Sequence, residues 1–229
     1  MPARWLLPQN VKEAKEAQSE MAASVIIEDS FEKPLVNILG TDLSNKPFDP
    51  EKRVFGGAVL LSSASLDTIE IVKREGREAF PYVPGLLGFR EVPMLVELYK
   101  GLRAPVDLIM VDGHGISHPR GLGVASHLGV LLDVPTIGVA KSILVGVPKN
   151  PLGEEAGSMT PLVWKGEEIG MLIRTKKRCS PLIISSGHKI SLKRAIEIVF
   201  SCLKEYRLPE PTRRAHIAAN DYRKSFFST

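Results

Sequence analysis

Three carboxylates stand where the sequence predicts the end of a strand or the start of a helix. Asp42 follows an apolar run that begins VNIL, Asp112 ends the run DLIMV, and Glu91 lies near the start of a helical pattern. Open α/β sheets bind ligands just beyond the carboxyl ends of their strands. Carboxylates suit hard cations such as Mg²⁺, which need few protein ligands and keep several waters. Each acid alone is more simply interpreted as a turn residue or a helix cap. A site is favoured by their combination with Lys141 after another strand and with Arg213, Arg214 and His216 near the C-terminus.

Other signatures of chemistry are missing from the sequence. It contains no GxSxG elbow, no GxxxxGK[ST] loop, no complete GxGxxG fingerprint and no HExxH pair. His114 and His118 are four residues apart, but Pro119 and the nearby glycines argue against one helical face and therefore against zinc. Cys179 and Cys202 lack CxxC spacing, so we interpret them as reduced thiols.

The charge is divided unevenly along the chain. Residues 1–140 contain 14 Lys/Arg and 18 Asp/Glu, whereas residues 141–229 contain 16 and 8. An acidic half that holds metals and a basic half that holds phosphates are common in enzymes that act on nucleic acid. Basic surfaces also serve solubility, so the charge alone is a weak indication. The cluster Arg174, Lys176, Lys177 and Arg178 is either a phosphate-binding surface or a solvated hairpin end.

Length and composition fit an ordinary globular protein. The 229 residues are 44% hydrophobic and 24% charged, and we expect one domain over residues 1–229. The most apolar stretch, Leu128–Ala140, is interrupted by Asp133 and Pro135 and is shorter than the ~20 residues that a membrane span needs. The N-terminus is too poor in apolar residues for a secretion signal. We therefore predict a cytoplasmic protein with no membrane partner.

Hydrophobic periodicity predicts strands first, and then strands alternating with helices. A helix is predicted over residues 10–28, followed by strands in PLVNILGTD, RVFGGAVLLSS and TIEIVKREG that suggest an antiparallel meander. Further predicted elements are a helix in FREVPMLVELYKGL, a strand in VDLIMVDG, a helix in GVASHLGVLLD, a strand in PTIGVAKS, a hairpin around Lys165-Gly166, a strand in PLIISSG, a helix from the cap Ser191 to Tyr206, and a helix from the candidate cap Thr212 to Phe227. This order predicts an α/β fold in which helices flank a mixed central β-sheet.

These segments together resemble the endonuclease V family of deaminated-base repair nucleases along nearly the whole chain. The matching segments are GTDLS, PYVPGLLGFRE, VDGHGISHPRGLGVASHLG, GVAKSIL, SSGHKISL and TRRAHIAAN. The resemblance implies a ribonuclease H-like fold, in agreement with the order of the predicted elements. Two positions depart from the family pattern: Asn45 stands where an aromatic residue is more usual, and Ser186 replaces a common proline.

The resemblance also implies an activity and a catalytic set. The family hydrolyses the second phosphodiester bond on the 3′ side of deoxyinosine or inosine in DNA or RNA, leaving 3′-hydroxyl and 5′-phosphate ends. Asp42, Glu91 and Asp112 would bind Mg²⁺, for which Mn²⁺ can substitute. His216 would complete the acidic site, and Lys141 would stand close to the scissile phosphate. We expect a monomer whose partner is nucleic acid containing deaminated bases.

A wedge and a base pocket are implied in the same way. The segment Pro81, Tyr82, Val83 and Pro84 would be the wedge that replaces the lesion in the helix. Residues near the pocket for the displaced base would be Gly85, Leu86, Leu87, Gly113, Val124, Ala140 and Leu144. Two other functions stay open, namely a module that binds inosine without cleavage and a ribonuclease H-like nuclease for another structure such as branched DNA. The retained carboxylates argue against the first, and the wedge segment argues against the second.

Overall fold

The computed structural model describes residues 2–30 and 34–228 and contains a nine-stranded mixed sheet. The strands are β1 (Asn37–Asn45), β2 (Arg53–Ser62), β3 (Thr68–Arg77), β4 (Leu108–Val111), β5 (Thr136–Ala140), β6 (Val147–Pro148), β7 (Met159–Trp164), β8 (Glu167–Ile173) and β9 (Leu182–His188). Their order across the sheet is β3-β2-β1-β4-β5-β9-β8-β7-β6. The predicted mixed sheet is confirmed.

The first three strands form the predicted antiparallel meander, and the next two extend it in parallel. β1 pairs with β2, and β2 with β3, in antiparallel register. β4 lies parallel to β1, and β5 lies parallel to β4. The remaining strands continue from β5 by antiparallel pairing. The carboxyl ends of β1, β4 and β5 therefore meet at one edge of the sheet.

Five α-helices cover the two faces of this sheet in the described residues. They are α1 (Val11–Ala22), α2 (Leu87–Lys100), α3 (Val124–Leu132), α4 (Leu192–Ser201) and α5 (Glu210–Phe227). Alternate residues of each central strand face opposite layers, because side chains of a strand alternate between its two faces. Ile38 and Met110 join a buried cluster with α4, whereas Leu39 and Ile109 join one with α2 and α3.

Local signals placed several element boundaries correctly. The Ser191 hydroxyl accepts a hydrogen bond from the backbone N–H of Arg194 at 3.1 Å, as expected of a helix cap. Lys165 and Gly166 have φ values of 53° and 88°, which fits the tight hairpin turn predicted between β7 and β8. Both cysteines are free, and Cys202 is buried.

Other boundaries were predicted wrongly because tertiary contacts end or begin the helices. α1 stops at Ala22 rather than at residue 28, and beyond it the N–H of Ile26 donates to Nδ1 of His188 at 3.3 Å. α4 stops at Ser201 rather than at Tyr206, and the Cys202 carbonyl accepts from the N–H of Glu210 at 2.9 Å. In both places the chain turns away to reach another element.

Two helix starts and one strand also differ from the prediction. α5 begins at Glu210, so Thr212 lies inside it and is not the cap. Its second residue is Pro211, and proline is tolerated there because the first turn has no partner for its N–H. α2 begins at Leu87, two residues earlier than predicted, and contains Pro93. The two-residue strand β6 was not predicted. No α-helix within residues 2–30 and 34–228 is long and apolar enough to cross a membrane.

Candidate active site

Asp42 and Asp112 lie beside each other on neighbouring parallel strands. The pairing of β1 with β4 ends at Thr41 and Val111, the residues that precede the two acids. The N–H of Asp112 donates to the Thr41 carbonyl at 3.2 Å. Asp42 does not end its strand as predicted, since β1 continues to Asn45 in its pairing with β2. It stands instead where the parallel pairing ends, which leaves its carboxylate beside that of Asp112.

His216 reaches the two acids from α5, which packs on one face of the sheet. Its Nδ1 lies 2.6 Å from Oδ2 of Asp42. One ligand atom each from Asp42, Asp112 and His216 lies within 4.8 Å of the other two. This approach requires glycine in the sheet: a Cβ at Gly40 would lie 1.9 Å from the Pro211 carbonyl oxygen, and one at Gly57 would lie 2.6 Å from the backbone nitrogen of Ala219. The two glycines let α5 pack directly on β1 and β2.

A second row of side chains holds His216 in place. The amide nitrogen of Asn220 lies 3.1 Å from Nε2 of His216 and donates to the His216 carbonyl at 2.9 Å. The Ser44 hydroxyl donates to the Asn220 amide oxygen at 2.8 Å and accepts from Nε of Arg223 at the same distance. This series of hydrogen bonds leaves Nδ1 of His216 directed at Asp42. No role was predicted for these residues, although Asn220 lies four residues after His216 on one helix, a spacing that places both on the same face.

Lys141 follows β5 and forms an ion pair with Oδ2 of Asp112. Its side chain is 37% exposed, so the ammonium group lies at the rim of the site. Arg207 donates to the Lys141 carbonyl at 3.4 Å and to the Pro181 carbonyl at 3.0 Å. The loop that carries Lys141 is thereby attached to the start of β9.

Glu91 comes to the site from α2, on the opposite face of the sheet. Burial, the largest cause, and the charges of Asp42 and Asp112 together raise its pKa to about 8, against the opposing effect of Arg90. Burial and the neighbouring charge of Asp112 also raise the pKa of Asp42 to about 6. Both shifts arise because negative charge is concentrated where solvent is scarce. Such a donor set fits one or two hard divalent cations, which would stabilise the ionised form of both carboxyl groups.

A pocket of about 310 Å³ opens directly beside the acids. Glu91 and Asp112 belong to its wall, so the pocket and the acidic centre share two residues. The wall also contains Tyr82, Pro84, Gly85, Leu87, Gly88, Gly113, His114, His118, Leu122, Gly123, Val124, Ser142, Ile143 and Leu144. Its apolar and glycine-rich wall suits a flat, uncharged group such as a base.

Seven of the predicted wedge and pocket residues line this pocket, and four lie outside it. Those in the wall are Tyr82, Pro84, Gly85, Leu87, Gly113, Val124 and Leu144. Pro81 is exposed, and Val83 packs against the apolar cluster beneath α1. Leu86 is buried in that cluster, and Ala140 is buried with β7 and β8. Leu86 and Ala140 are therefore not part of the wall, whereas Leu87, the next residue after Leu86, is.

Tyr82 lies at the mouth of the pocket with 66% of its surface exposed. The guanidinium carbon of Arg90 lies 5.9 Å from the centre of its ring, and Arg90 forms an ion pair with Glu78. A tyrosine packed in the core is therefore excluded. The exposed ring is free to contact a ligand at the rim.

Two histidines of the wall had no predicted role. Nδ1 of His114 lies 2.8 Å from the Ser117 hydroxyl, and burial lowers the pKa of His114. Burial also lowers the pKa of His118 to about 4, so His118 is neutral at pH 7. Within the described residues, neither histidine belongs to a group of three or more side chains placed to hold a metal ion. The segment GHGISHPR contained the signal, but sequence alone did not show which of its side chains face the pocket.

The mixed sheet and the acids at the ends of its adjacent parallel strands place the chain in the ribonuclease H-like class of α/β proteins. Comparison with known proteins identifies the family. The family model for endonuclease V matches residues 19–217. The chain belongs to the endonuclease V family, and it is a nuclease.

Similar proteins cover almost the whole chain. Endonuclease V of Protochlamydia amoebophila is 50% identical over 96% of this chain and 93% of its own length. The crystal structure of endonuclease V from Streptomyces avermitilis is 36% identical, covers 99% of this chain and 98% of its own, and has a TM-score of 0.89. Ciona intestinalis endonuclease V was solved with a 24mer DNA containing an inosine followed by a ribo-adenosine. It is 27% identical, covers 94% of this chain and 98% of its own, and has a TM-score of 0.82.

Proposed function

We propose that this protein is an endonuclease that recognises deoxyinosine or inosine in nucleic acid and hydrolyses the second phosphodiester bond on the 3′ side of that nucleotide. The products are 3′-hydroxyl and 5′-phosphate ends. The observation that carries the proposal is the pocket of about 310 Å³ whose wall includes Glu91 and Asp112. A base held there lies next to the acids, so the backbone beyond it passes over them. The inosine-containing DNA bound by the Ciona intestinalis relative supports this choice of substrate.

Asp42, Asp112 and Glu91 are the proposed metal-binding residues, and Mg²⁺ is the proposed ion, with Mn²⁺ as a substitute. The raised pKa of Asp42 and of Glu91 supports this, because burial and the neighbouring carboxylates disfavour the ionised forms, which a bound cation would stabilise. Divalent ions held there would supply Lewis acidity that stabilises charge on the attacking and leaving oxygens. His216 has one nitrogen directed at Asp42, and we propose that it orients this carboxylate and holds a proton at that nitrogen.

Lys141 is the proposed partner of the scissile phosphate. In the structure its ammonium group pairs with Asp112 at the rim of the site. Phosphodiester hydrolysis concentrates negative charge on the phosphate oxygens, and a fixed cation at the rim stabilises that charge. A phosphate that arrives beside the acids would take Lys141 from Asp112 and free that carboxylate for a metal.

Tyr82 is the proposed wedge, and the pocket wall is the proposed reader of the base. Extruding a base from a duplex costs a few kcal/mol of stacking. The exposed Tyr82 ring is placed to stack where the base had been, and Pro81 and Pro84 stiffen the segment that carries it. Gly85 and Gly113 lack side chains, so their backbone groups can approach the edge of hypoxanthine closely.

We further propose that residues 1–229 form one endonuclease V domain. The family model and the nine-stranded sheet both run through most of the chain, which supports this. The cytoplasmic location and the monomeric state stay predictions.

A test of the function uses matched duplexes and single strands that carry one deoxyinosine, one inosine or none. With Mg²⁺ the lesion strands are expected to be cut once, at the second phosphodiester bond on the 3′ side. Chelation of the metal should stop cleavage but leave binding. Selective binding without cleavage in Mg²⁺ or Mn²⁺ would instead support the inosine-binding module, and cleavage independent of the lesion would support a nuclease for another structure.

A further inference from the structure

One polar side chain is buried on the otherwise apolar inner face of α1. Ala14, Ala17 and Met21 pack in a cluster that includes Phe89 of α2, and Gln18 on the same face is 2% exposed. A buried amide costs free energy unless its polar atoms are hydrogen-bonded. Gln18 therefore needs partners inside the protein, and their identity indicates its role.

All of the hydrogen bonds of the Gln18 amide go to residues around the pocket. Its Nε2 donates to the Gly85 carbonyl at 2.9 Å and to the Leu122 carbonyl at 3.1 Å. Its Oε1 accepts from Nε of Arg120, and the terminal nitrogen of Arg120 donates to the same Gly85 carbonyl at 2.6 Å. Gln18 and Arg120 thus hold the Gly85 carbonyl from two sides.

The two carbonyls belong to separate segments of the pocket wall. Gly85 lies in a tight turn closed by a 2.9 Å hydrogen bond from the Leu86 N–H to the Val83 carbonyl, with a φ of 77°. Leu122 lies in the segment between β4 and α3, and both residues line the pocket. Neither segment belongs to a strand or an α-helix, so Gln18 supplies a connection that the sheet does not.

We propose that Gln18 is a positioning residue that, together with Arg120, fixes the two wall segments at the separation that hypoxanthine requires, and so sets lesion specificity. The proposal rests on the proposed function, because it takes the pocket to hold the displaced base. Gln18 does not line the pocket, so it acts through Gly85 and Leu122. A displacement of about 1 Å in such a wall is enough to cost a large factor in rate.

The test replaces Gln18 with methionine, which keeps the length of the side chain but removes both donors and the acceptor. Cleavage is measured on deoxyinosine and on deoxyxanthosine, whose base carries an added carbonyl at C2. The ratio of kcat/KM for deoxyinosine to that for deoxyxanthosine is expected to fall about tenfold, mainly because KM for deoxyinosine rises. A change of this size is what the loss of one buried hydrogen bond gives. Fluorescence anisotropy without divalent metal should show the same loss of preference in binding.

A matched control separates positioning from simple destabilisation. Met21→Ala removes packing from the same cluster without touching the Gln18 hydrogen bonds, so it should lower the melting temperature and leave the lesion ratio unchanged. If Gln18→Met does not fold, Arg120→Lys provides the second variant, because lysine keeps the charge but lacks the fork that joins Gln18 to Gly85. Its lesion ratio is also expected to fall.

Two outcomes would overturn the proposal. An unchanged lesion ratio in a folded Gln18→Met or Arg120→Lys variant would show that the walls hold their separation without the amide. An equal fall in Met21→Ala at equal loss of stability would reduce the effect to general loosening. A wild-type protein that cuts neither lesion would contradict the proposed function itself, and this result is seen before any variant is made.

Discussion

At the scale of single residues, Asp112 makes contacts with several other members of the proposed catalytic set. It follows β4 without a connecting residue, pairs with Lys141, and lies within ligand distance of Asp42 and His216. Its backbone N–H is fixed by the Thr41 carbonyl. The side chain can therefore be changed without disturbing the strand.

Asp112→Asn is expected to reduce cleavage by more than about a hundredfold while substrate affinity stays near wild type. The amide has the same shape but lacks the charge that a metal requires, and even partners behind a metal ligand contribute ~10–100-fold. Cleavage in Mg²⁺ and gel shifts in Ca²⁺ measure the two effects separately. Asp67→Asn, at an exposed position near the start of β3, is the control with the same charge change. Full Mg²⁺-dependent activity in Asp112→Asn would show that Asp112 is not a metal-binding residue.

Tyr82→Ala is expected to reduce cleavage of deoxyinosine in a duplex more than in a single strand. The ring would replace part of the lost stacking, worth ~1–3 kcal/mol per base–aromatic contact, and a single strand has less stacking to lose. Because the side chain is 66% exposed, the melting temperature should hardly change. Tyr82→Phe keeps the ring and should behave like wild type. An unaltered duplex-to-single-strand rate ratio in Tyr82→Ala would rule out the wedge.

At the scale of elements, the active site depends on how closely α5 packs on the meander. β1 carries Asp42, while α5 carries His216 and Asn220. The contact between these elements passes over Gly40 and Gly57, where a side chain would meet the backbone of α5. The position of His216 is therefore set by two glycines that take no part in the chemistry.

Gly57→Ala is expected to lower kcat and the melting temperature together. Its new Cβ would lie 2.6 Å from the Ala219 nitrogen and 2.7 Å from the Ala215 oxygen, so α5 must shift and carry His216 away from Asp42. Overpacking of this kind costs ~1–3 kcal/mol. Enzyme kinetics and thermal unfolding measure the two effects.

A double variant shows whether the loss of activity acts through the histidine. If it does, Gly57→Ala should add little to the activity loss of His216→Ala, because contacts in one network are not additive. Gly153→Ala is the control, since its Cβ would meet only the side chain of Ser158 in a surface loop, with Oγ at 2.7 Å and Cβ at 3.2 Å. A lowered melting temperature with an unchanged kcat in Gly57→Ala would show that the position of α5 does not affect catalysis.

The buried contact between His127 of α3 and Trp5 near the N-terminus should make the stability of the fold depend on pH. His127 is buried, its Nε2 lies 2.6 Å from the Trp5 carbonyl, and burial lowers its pKa to about 4. In the unfolded chain the value is ~6.5, so between these limits the unfolded state binds more protons. The contribution of neutral His127 to the free energy of unfolding is complete above pH ~6.5 and is lost as the pH falls towards 4. His127→Gln keeps a donor for Trp5 and should flatten the melting temperature between pH 6.5 and 4; an identical slope would assign the dependence to other groups.

At the scale of the whole molecule, the basic half of the chain should control affinity for nucleic acid. Residues 141–229 have 16 Lys/Arg against 8 Asp/Glu. Part of this charge is already paired, as in the contact of Lys177 with Glu155 at 2.6 Å. Arg174 is also engaged, since it donates to the Gly153 carbonyl at 2.7 Å and to that of Cys179 at 2.5 Å. The segment with Lys176 and Lys177 is connected to the Lys141 loop through Arg207, whose carbonyl accepts from the Thr175 hydroxyl at 2.7 Å and whose guanidinium donates to the Lys141 carbonyl at 3.4 Å.

Lys176→Ala with Lys177→Ala is expected to weaken binding to all sequences alike and to reduce the slope of log K against log salt by up to about 2. Each phosphate contact releases counterions and contributes ~0.9 to the slope on duplex DNA. Binding titrations over a range of salt concentrations measure it. Lys12→Ala with Lys15→Ala, on the exposed face of α1, removes the same charge from the acidic half and should leave the slope unchanged. An equal slope in both double variants would place the phosphate contacts elsewhere.

The sequence by itself determined the mixed sheet and the order of its strands and helices except β6, and it predicted the candidate acids. These depend on local rules: alternating or continuous apolar runs, turn pairs such as Lys165-Gly166, and the cap at Ser191. The resemblance to the family then supplied roles for Asp42, Glu91, Asp112, Lys141 and His216. Residue type and spacing carry this information because the chemistry requires particular side chains at the ends of particular elements.

Only the tertiary structure decided which side chains face the pocket and what holds its wall. Leu86 and Leu87 are adjacent in sequence, yet one is buried in the core and the other lines the pocket. Gln18 lies 67 residues from Gly85 and 104 from Leu122, and no local pattern connects them. Beyond the end of α1, the hydrogen bond from Ile26 to His188 likewise joins residues that are far apart in the sequence. Such contacts depend on packing between elements, whereas periodicity describes one element at a time.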